Sequence, residues 1–168
     1  MIETPKGILN VGDIAKQAEH MPLSDFVVGT NDLAKEMRVT AQADRSNFLF
    51  ALSSIATAAL AYGITPVDGV YNSITDTEGL AMECEQGIQL GFKGKTLIHP
   101  SQLETANTLF APSDEEVAEA QAIVDAFELP ENAGRGVITV DGKMVEILHL
   151  HSAQELLARA RSIEKLSA

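Results

Sequence analysis

The sequence predicts an α/β fold of parallel strands, a partial TIM (β/α) barrel of roughly the last four βα units, followed by a helix-hairpin-helix extension. Three observations predict it. Glu3, Asp32, Asp68 and His99 each stand at or near the end of a short apolar run. They are separated by 29, 36 and 31 residues, and each interval holds one strand, one helix and their loops. Repeats of that size mean parallel strands joined by right-handed crossovers. Before residue 111 there is room for about four such units, one of them truncated, whereas a closed eight-stranded barrel takes about 250 residues. Residues 1–111 therefore read as the second half of a barrel, with the polar residues gathered on the carboxyl rim where α/β enzymes carry their sites.

Taken in order, Met1-Ile2 reads as the last two residues of a strand whose earlier part is absent, with Pro5, Lys6 and Gly7 turning away from it. Leu9 to Ala18 gives a modest helix with Val11, Ile14, Ala15 and Ala18 on one side, broken at His20-Met21-Pro22. Leu23 to Val28 is a strand. Gly29 lets the chain turn tightly, and Asn31-Asp32 arrive just as a helical pattern opens. Residues 38–47 are polar and turn-like. Phe48 to Tyr62 is Ala-rich, nearly all apolar and free of Pro, the pattern of a well-buried helix that Gly63 ends. Ile64 to Tyr71 is a strand with Asp68 near its rim, and Asn72 to Asp76 is a polar loop. Thr77 to about Leu90 is a helix that Asp76 is placed to cap. After a turn at Gly91 to Lys95, Thr96-Leu97-Ile98 is a strand ending at His99-Pro100, and Ser101 opens a short helix to about Phe110.

Residues 112–168 change character. Ser113 with Glu116 forms a capping box before a helix bearing Val117, Ala120, Val124 and Phe127 on one stripe. Gly136 to Ile147 reads as a β-hairpin around an Asp141-Gly142 turn. Ser152 with Glu155 is a second capping box before a final helix carrying Leu156, Ala160, Ile163 and Leu166. So small a unit has little core of its own and reads as a lid or arm that docks on something.

Twenty-four acidic residues stand against 12 Lys plus Arg, a formal charge of -12. That balance argues against nucleic acid or an anionic membrane as the main partner. The single Cys84 excludes an intrachain disulfide and fits a reducing compartment; its helical setting gives no reason to expect a reactive thiol. With no charged leader before an apolar stretch and no membrane-length window, a soluble, cytoplasmic protein is expected. No GxGxxG follows a strand and no GxxxxGK[ST] occurs, which removes nucleotide binding of those kinds.

The residues leave Asp32 three roles: helix cap, base or metal ligand. With Glu3 it would supply a two-carboxylate Mg²⁺ site, completed by water and substrate oxygens, that polarises the carbonyl of a 2-oxo acid or stabilises an enolate beside it. His99 is placed to orient substrate or a cofactor phosphate, or to serve as a hydrogen-bonded structural histidine; no Cys or second His stands at metal spacing from it. His20, His149 and His151 attract no metal reading. The last two fall on one side of a strand or in a loop.

Several stretches resemble one family: Ile2-Glu3-Thr4-Pro5-Lys6-Gly7, Val28-Gly29-Thr30-Asn31-Asp32-Leu33, Pro66-Val67-Asp68-Gly69-Val70-Tyr71, Asp76-Thr77-Glu78-Gly79-Leu80, and Gly91-Phe92 with Lys95 to Gln102. The similarity continues through Phe110-Ala111-Pro112-Ser113 into Met144-Val145-Glu146 and His149. The chain resembles the carboxyl-terminal half of the citrate lyase β-subunit-like CoA-ester lyases, of the HpcH/HpaI aldolase and citrate lyase superfamily. The resemblance implies a TIM barrel whose extension covers a neighbouring subunit's site, in trimers or hexamers. It implies cleavage or formation of malyl-, methylmalyl-, citramalyl- or citryl-CoA type thioesters, with a 2-oxo acid as the other product or substrate. By resemblance Glu3 and Asp32 hold Mg²⁺, backbone amides near Asn31 and Asp32 hold the oxo-acid carboxylate, and Glu146 is the extension's catalytic carboxylate; Asp68 and His99, at strand ends on the same rim, read as substrate-binding.

The sequence departs from the family in two places. Asn31 stands where members commonly have Glu. The family's amino-terminal half, with its substrate-binding arginine and basic CoA region, has no counterpart; Arg38 and Arg45 do not match that arginine. The 168 residues alone are therefore expected to have little or no lyase activity unless another polypeptide supplies the rest. Two alternatives stand beside the lyase: a noncatalytic remnant or subunit of a larger complex, and an aldolase of free 2-oxo acids, against which the hairpin at 136–147 counts.

Overall fold

Parallel pairing organises the first part of the chain. In the computed structural model, which describes residues 1–40 and 42–167, strands β1 (Asp25–Val27), β2 (Thr65–Asp68) and β3 (Gly94–Lys95) form one open parallel sheet in that order. Phe26 stands opposite Pro66, and Asp68 opposite Lys95. Two units follow one another along the chain, Met1–Phe110 and the residues from Ala111 onward. The turn-like stretch expected over 38–47 includes residue 41, which lies outside the described residues.

The partial barrel is corrected here. The strands form two small open sheets, the parallel one and a separate antiparallel pair, and no barrel closure is present among the described residues. Two expected strands fail to extend the sheet. Ile2 makes a single bridge to Val28. Thr96-Leu97-Ile98 leaves β3 at two residues, because the Ile98 N–H is taken by the Gln102 side chain at 3.0 Å instead of a ladder. Closing a sheet needs more strands at a consistent tilt and stagger than these supply.

The helices follow their local signals. α1 (Pro5–Leu9) starts earlier than the helix expected from Leu9, since Thr4 accepts the Gly7 N–H at 3.0 Å and Pro5 is pre-shaped for the first helical position. α2 (Val11–Ala15) and a 3₁₀ turn at Lys16–Glu19 complete that segment. α3 (Thr30–Met37) follows β1 directly, and its backbone ends at a left-handed Arg38. α4 (Leu49–Ala61) buries Leu52, Ile55 and the alanines beside them, while Phe50 and Leu60 on its other side are exposed, a narrower burial than the apolar run suggested. α5 (Thr77–Gln89) is capped by Asp76, as expected, with Leu80, Cys84 and Gly87 facing inward. α6 (Leu103–Phe110) follows a 3₁₀ turn at Pro100–Gln102. The core of this unit joins Ile2, Phe26, Val28, Leu33, Phe48, Leu52, Ile55, Ile64, Leu80 and Phe92, with Cys84 wholly buried among them.

In the second unit α7 (Asp114–Glu128) opens on the expected capping box, the Glu116 N–H reaching Ser113 Oγ at 3.2 Å and the Ser113 N–H reaching Glu116 Oε2 at 2.8 Å. β4 (Val137–Val140) and β5 (Lys143–Glu146) pair antiparallel around Asp141 and Gly142, both at positive φ, as a two-residue hairpin turn requires. The second expected capping box does not form. α8 runs from Ile147 to Ser167, so Ser152 lies inside it and its hydroxyl donates to Leu148 O at 3.1 Å. His149 and His151 are therefore helical, not in a strand or loop. Ala120, Ala153 and Leu157 form this unit's small core with Val117, Ile123, Val124 and Leu156. Among the described residues no helix is long and apolar enough to cross a membrane.

Candidate active site

At the carboxyl end of β1 the backbone builds a corner. The Ile2 N–H donates to Val27 O at 2.8 Å and the Gly29 N–H to Ile2 O at 2.9 Å, so Glu3 leaves the sheet beside Gly29. A Cβ on Gly29 would lie 2.5 Å from Glu3 Cβ and 2.8 Å from its Oε2. The side chain missing at position 29 is the space that the Glu3 carboxylate fills. α3 starts one residue later and Asp32 falls in its first turn, where the helix dipole favours negative charge. α3 has no side-chain cap, so Asp32 does not cap it. Neither the Glu3 nor the Asp32 carboxylate has a hydrogen-bond or ion-pair partner among the described residues. Nor do those residues contain a group of three or more His, Cys, Asp or Glu disposed to hold a metal.

Next to this corner the loop after β2 is tied to the start of α3. Asn31 and Asn72 exchange both amide bonds, at 3.0 and 2.7 Å. Thr30 packs on Gly69, where a Cβ would sit 2.7 Å from Thr30 Oγ1, and that hydroxyl is buried with no partner. Gln102, itself buried, donates to Tyr71 O at 2.9 Å and so holds the far side of the same loop. Tyr71 donates to Asp76 at 2.5 Å; the bond pushes the phenol up to about 12 and holds Asp76 below the ordinary carboxylate range. His99 caps the 3₁₀ turn at Pro100 through Nδ1, which meets Ser101 Oγ at 2.8 Å and the Ser101 N–H at 3.2 Å.

Asp68, at the end of β2, is fully buried and engaged on all sides. Arg45 Nη1 reaches its two oxygens at 2.9 and 2.7 Å, Lys95 Nζ reaches Oδ2 at 3.1 Å, and the Gly69 N–H reaches Oδ1 at 2.8 Å. Lys95 also holds Glu83 Oε1 at 2.5 Å, and Arg45 Nε holds Gln86 Oε1 at 2.6 Å. Two cations and two carboxylates thus compensate one another, with the Asp68 and Lys95 side chains wholly shut off from water and Glu83 at the edge of the network, the condition for burying charge at all. Gly87 allows the approach, since a Cβ there would stand 3.0 Å from Asp68 Oδ2. Beside this network the Cys84 thiol is buried, and burial pushes its pKa up.

Arg45, Glu83, Lys95, Asn72 and Gln102 are absent from the residues selected by sequence. One signal did point to a partner for Asp68: an Asp inside an apolar strand needs a cation, and only a basic residue from elsewhere can supply it. In the second unit, Glu146 is the last residue of β5, half-buried, and its N–H donates to His149 Nδ1 at 2.9 Å.

The model of the family HpcH/HpaI aldolase/citrate lyase matches residues 1–100. The chain is 49% identical over 168 residues to a (3S)-malyl-CoA thioesterase of Cereibacter sphaeroides, covering all of this chain and 58% of that protein. It is 35% identical over 159 residues to the citrate lyase subunit beta of Escherichia coli strain K12, covering 95% of this chain and 52% of that one. Among solved structures, the protein CitE from Mycobacterium tuberculosis in complex with magnesium, acetoacetate and coenzyme A is similar at a TM-score of 0.74 and 30% identity, over 94% of this chain and 58% of that chain. The chain thus spans little more than half the length of these relatives.

Proposed function

The chain belongs to the HpcH/HpaI aldolase/citrate lyase family, and from that premise we propose that it carries the metal corner and a catalytic carboxylate of a Mg²⁺-dependent carbon–carbon lyase acting on 3-hydroxyacyl-CoA thioesters of the malyl type. The observation that carries the reading is the pair Glu3 and Asp32: two carboxylates at one sheet end, one of them housed by the side chain Gly29 lacks, with no cation among the described residues paired to either. These residues fit Mg²⁺, which is commonly held by one or two carboxylates together with water and substrate oxygens. When bound there, the ion supplies Lewis-acid polarisation of the 2-oxo acid's carbonyl, or of the hydroxyl derived from it.

The chain's own residues do the rest. The N–H groups of Asn31 and Asp32 precede the first intrahelical bond, Leu33 N–H to Gly29 O at 2.9 Å, and are available to receive the oxo-acid carboxylate. Asp68 acts at one remove, fixing the Gly69 amide on which Thr30 rests. His99 keeps the turn after β3 in place. Glu146 handles the proton at carbon. In the cleavage direction the substrate hydroxyl gives up its proton to water as the carbon–carbon bond breaks and its oxygen becomes the carbonyl of the 2-oxo acid, and Glu146 returns a proton to the enolate carbon of the released acyl-CoA. In the condensation direction Glu146 removes a proton from that carbon and the new alkoxide takes one from water. On the same reading the chain corresponds to the carboxyl-terminal part of its relatives, works in the cytoplasm, and acts in a homotrimer or hexamer in which Glu146 serves a neighbouring copy.

The similarity to a malyl-CoA thioesterase favours a second reading on the same residues, hydrolysis of the thioester. Incubation with (3S)-malyl-CoA and Mg²⁺ separates them. The lyase releases acetyl-CoA and glyoxylate; the thioesterase releases malate and the free thiol of CoA. Neither pair of products, together with no effect of Mg²⁺ on the melting temperature, would favour the noncatalytic reading.

A further inference from the structure

No loop separates β5 from α8: the strand ends at Glu146 and the helix begins at Ile147. Glu146 is thus the residue that caps the helix, and its peptide is fixed from two directions. It pairs with Val137 across the hairpin, and the following N–H, of Ile147, donates to Gly136 O at 3.1 Å. Its own N–H donates to His149 Nδ1 at 2.9 Å. His149 is the third residue of α8, the place that Glu or Gln takes in a capping box. The same chain has the carboxylate version at the start of α7, where the Ser113 N–H donates to Glu116. To accept this bond Nδ1 must carry no proton, so the imidazole proton sits on Nε2. A carboxylate at position 149 would accept the N–H equally well, but it would bring a second negative charge within one helical turn of the Glu146 carboxylate, and like charges disfavour ionisation.

We infer that His149 is a positioning residue for Glu146, an uncharged cap that pins the peptide carrying this carboxylate without adding a like charge beside it. The inference rests on Glu146 being the catalytic carboxylate. The experiment uses the full 168-residue chain, labelled with ¹⁵N. The imidazole nitrogens of His149 show the Nε2–H tautomer. Backbone exchange at Glu146 becomes about fivefold faster in His149→Leu and returns to the parent rate in His149→Gln, whose side-chain oxygen accepts the same N–H. Amides in the second half of α8 exchange alike in all three proteins. An Nδ1–H tautomer, an unchanged Glu146 amide in the Leu variant, a Gln variant as fast as the Leu variant, or faster exchange along the whole helix would each overturn the inference. Glu146→Gln is the separate control, assayed with a second polypeptide that supplies the rest of the family's fold: malyl-CoA turnover equal to that of the parent chain in the same mixture removes the catalytic reading of Glu146 and leaves the exchange result standing.

Discussion

Two pairs of carboxylates lie toward the same end of the parallel sheet, and the protein treats them in opposite ways. Asp68 and Glu83 are neutralised by Arg45 and Lys95 inside the fold, with Asp68 fully buried. Glu3 and Asp32 are given room, an α-helix start and, among the described residues, no ion-pair partner. The first pair is complete within the chain and can only hold structure. The second lacks a counter-charge, which is the state expected of a site whose positive partner comes from outside. Charge compensation thus marks Asp68 and Glu83 as scaffold, and its absence at Glu3 and Asp32 is what supports proposing them as a site.

The comparison breaks most severely at Arg45. Arg45→Met leaves Asp68 buried with half its compensation and is expected to cost about 3–5 kcal/mol in chemical denaturation; a loss below about 1 kcal/mol would place Asp68 in contact with water. Next in size is the response to metal. At a Mg²⁺ concentration about a hundred times its Kd, the parent chain gains about 2.7 kcal/mol of stability, while Glu3→Gln and Asp32→Asn gain nothing, read as the shift in melting temperature with and without the ion. Gly29→Ala loses the gain too, because the added methyl takes the space of the Glu3 carboxylate. A smaller effect belongs to the clasp between the start of α3 and the loop after β2. Asn72→Ala and Asn31→Ala each cost about 0.5–1 kcal/mol, and the double variant costs no more than the larger single one, because either change removes both bonds. The smallest concerns Glu116, held below the ordinary carboxylate range by the Ser113 N–H and hydroxyl. Its folded value is the lower one, so its contribution is present above the unfolded value of about 4.3 and is lost as pH falls through the folded value. The group is largely exposed, and the effect is about 0.3 kcal/mol; Glu116→Gln flattens that part of the acid limb of stability against pH.

The features legible in the sequence were those fixed by a few neighbouring residues. The capping box at Ser113, the cap at Asp76, the Asp141-Gly142 turn and the helix after Gly29 are each set by short-range bonds, and all formed. What was missed depends on residues far apart. Nothing local marks Arg45 as buried; it sits in a polar run, and its partner Asp68 is 23 residues on. The expected strand at 96–98 lost its ladder to a side chain, Gln102, whose amide also reaches Tyr71 O. The capping box at Ser152 was overwritten because α8 had already begun at Ile147. Regular spacing showed that the strands run parallel and said nothing about curvature, so the expected barrel was replaced by an open sheet. The corner of Glu3 and Asp32 was legible as a pair of acids at strand ends; the cradle at Gly29 and the clasp at Asn72 were not.

The lone thiol, buried between α5 and the sheet, makes this protein a recorder of its own fluctuations. A thiol reagent can modify Cys84 only while α5 is lifted from the charge network, so the labelling rate divided by that of an unfolded cysteine gives the fraction of time the scaffold is open. Because Lys95 and Asp68 lie close enough to act on that thiol, the rate reports on the network itself.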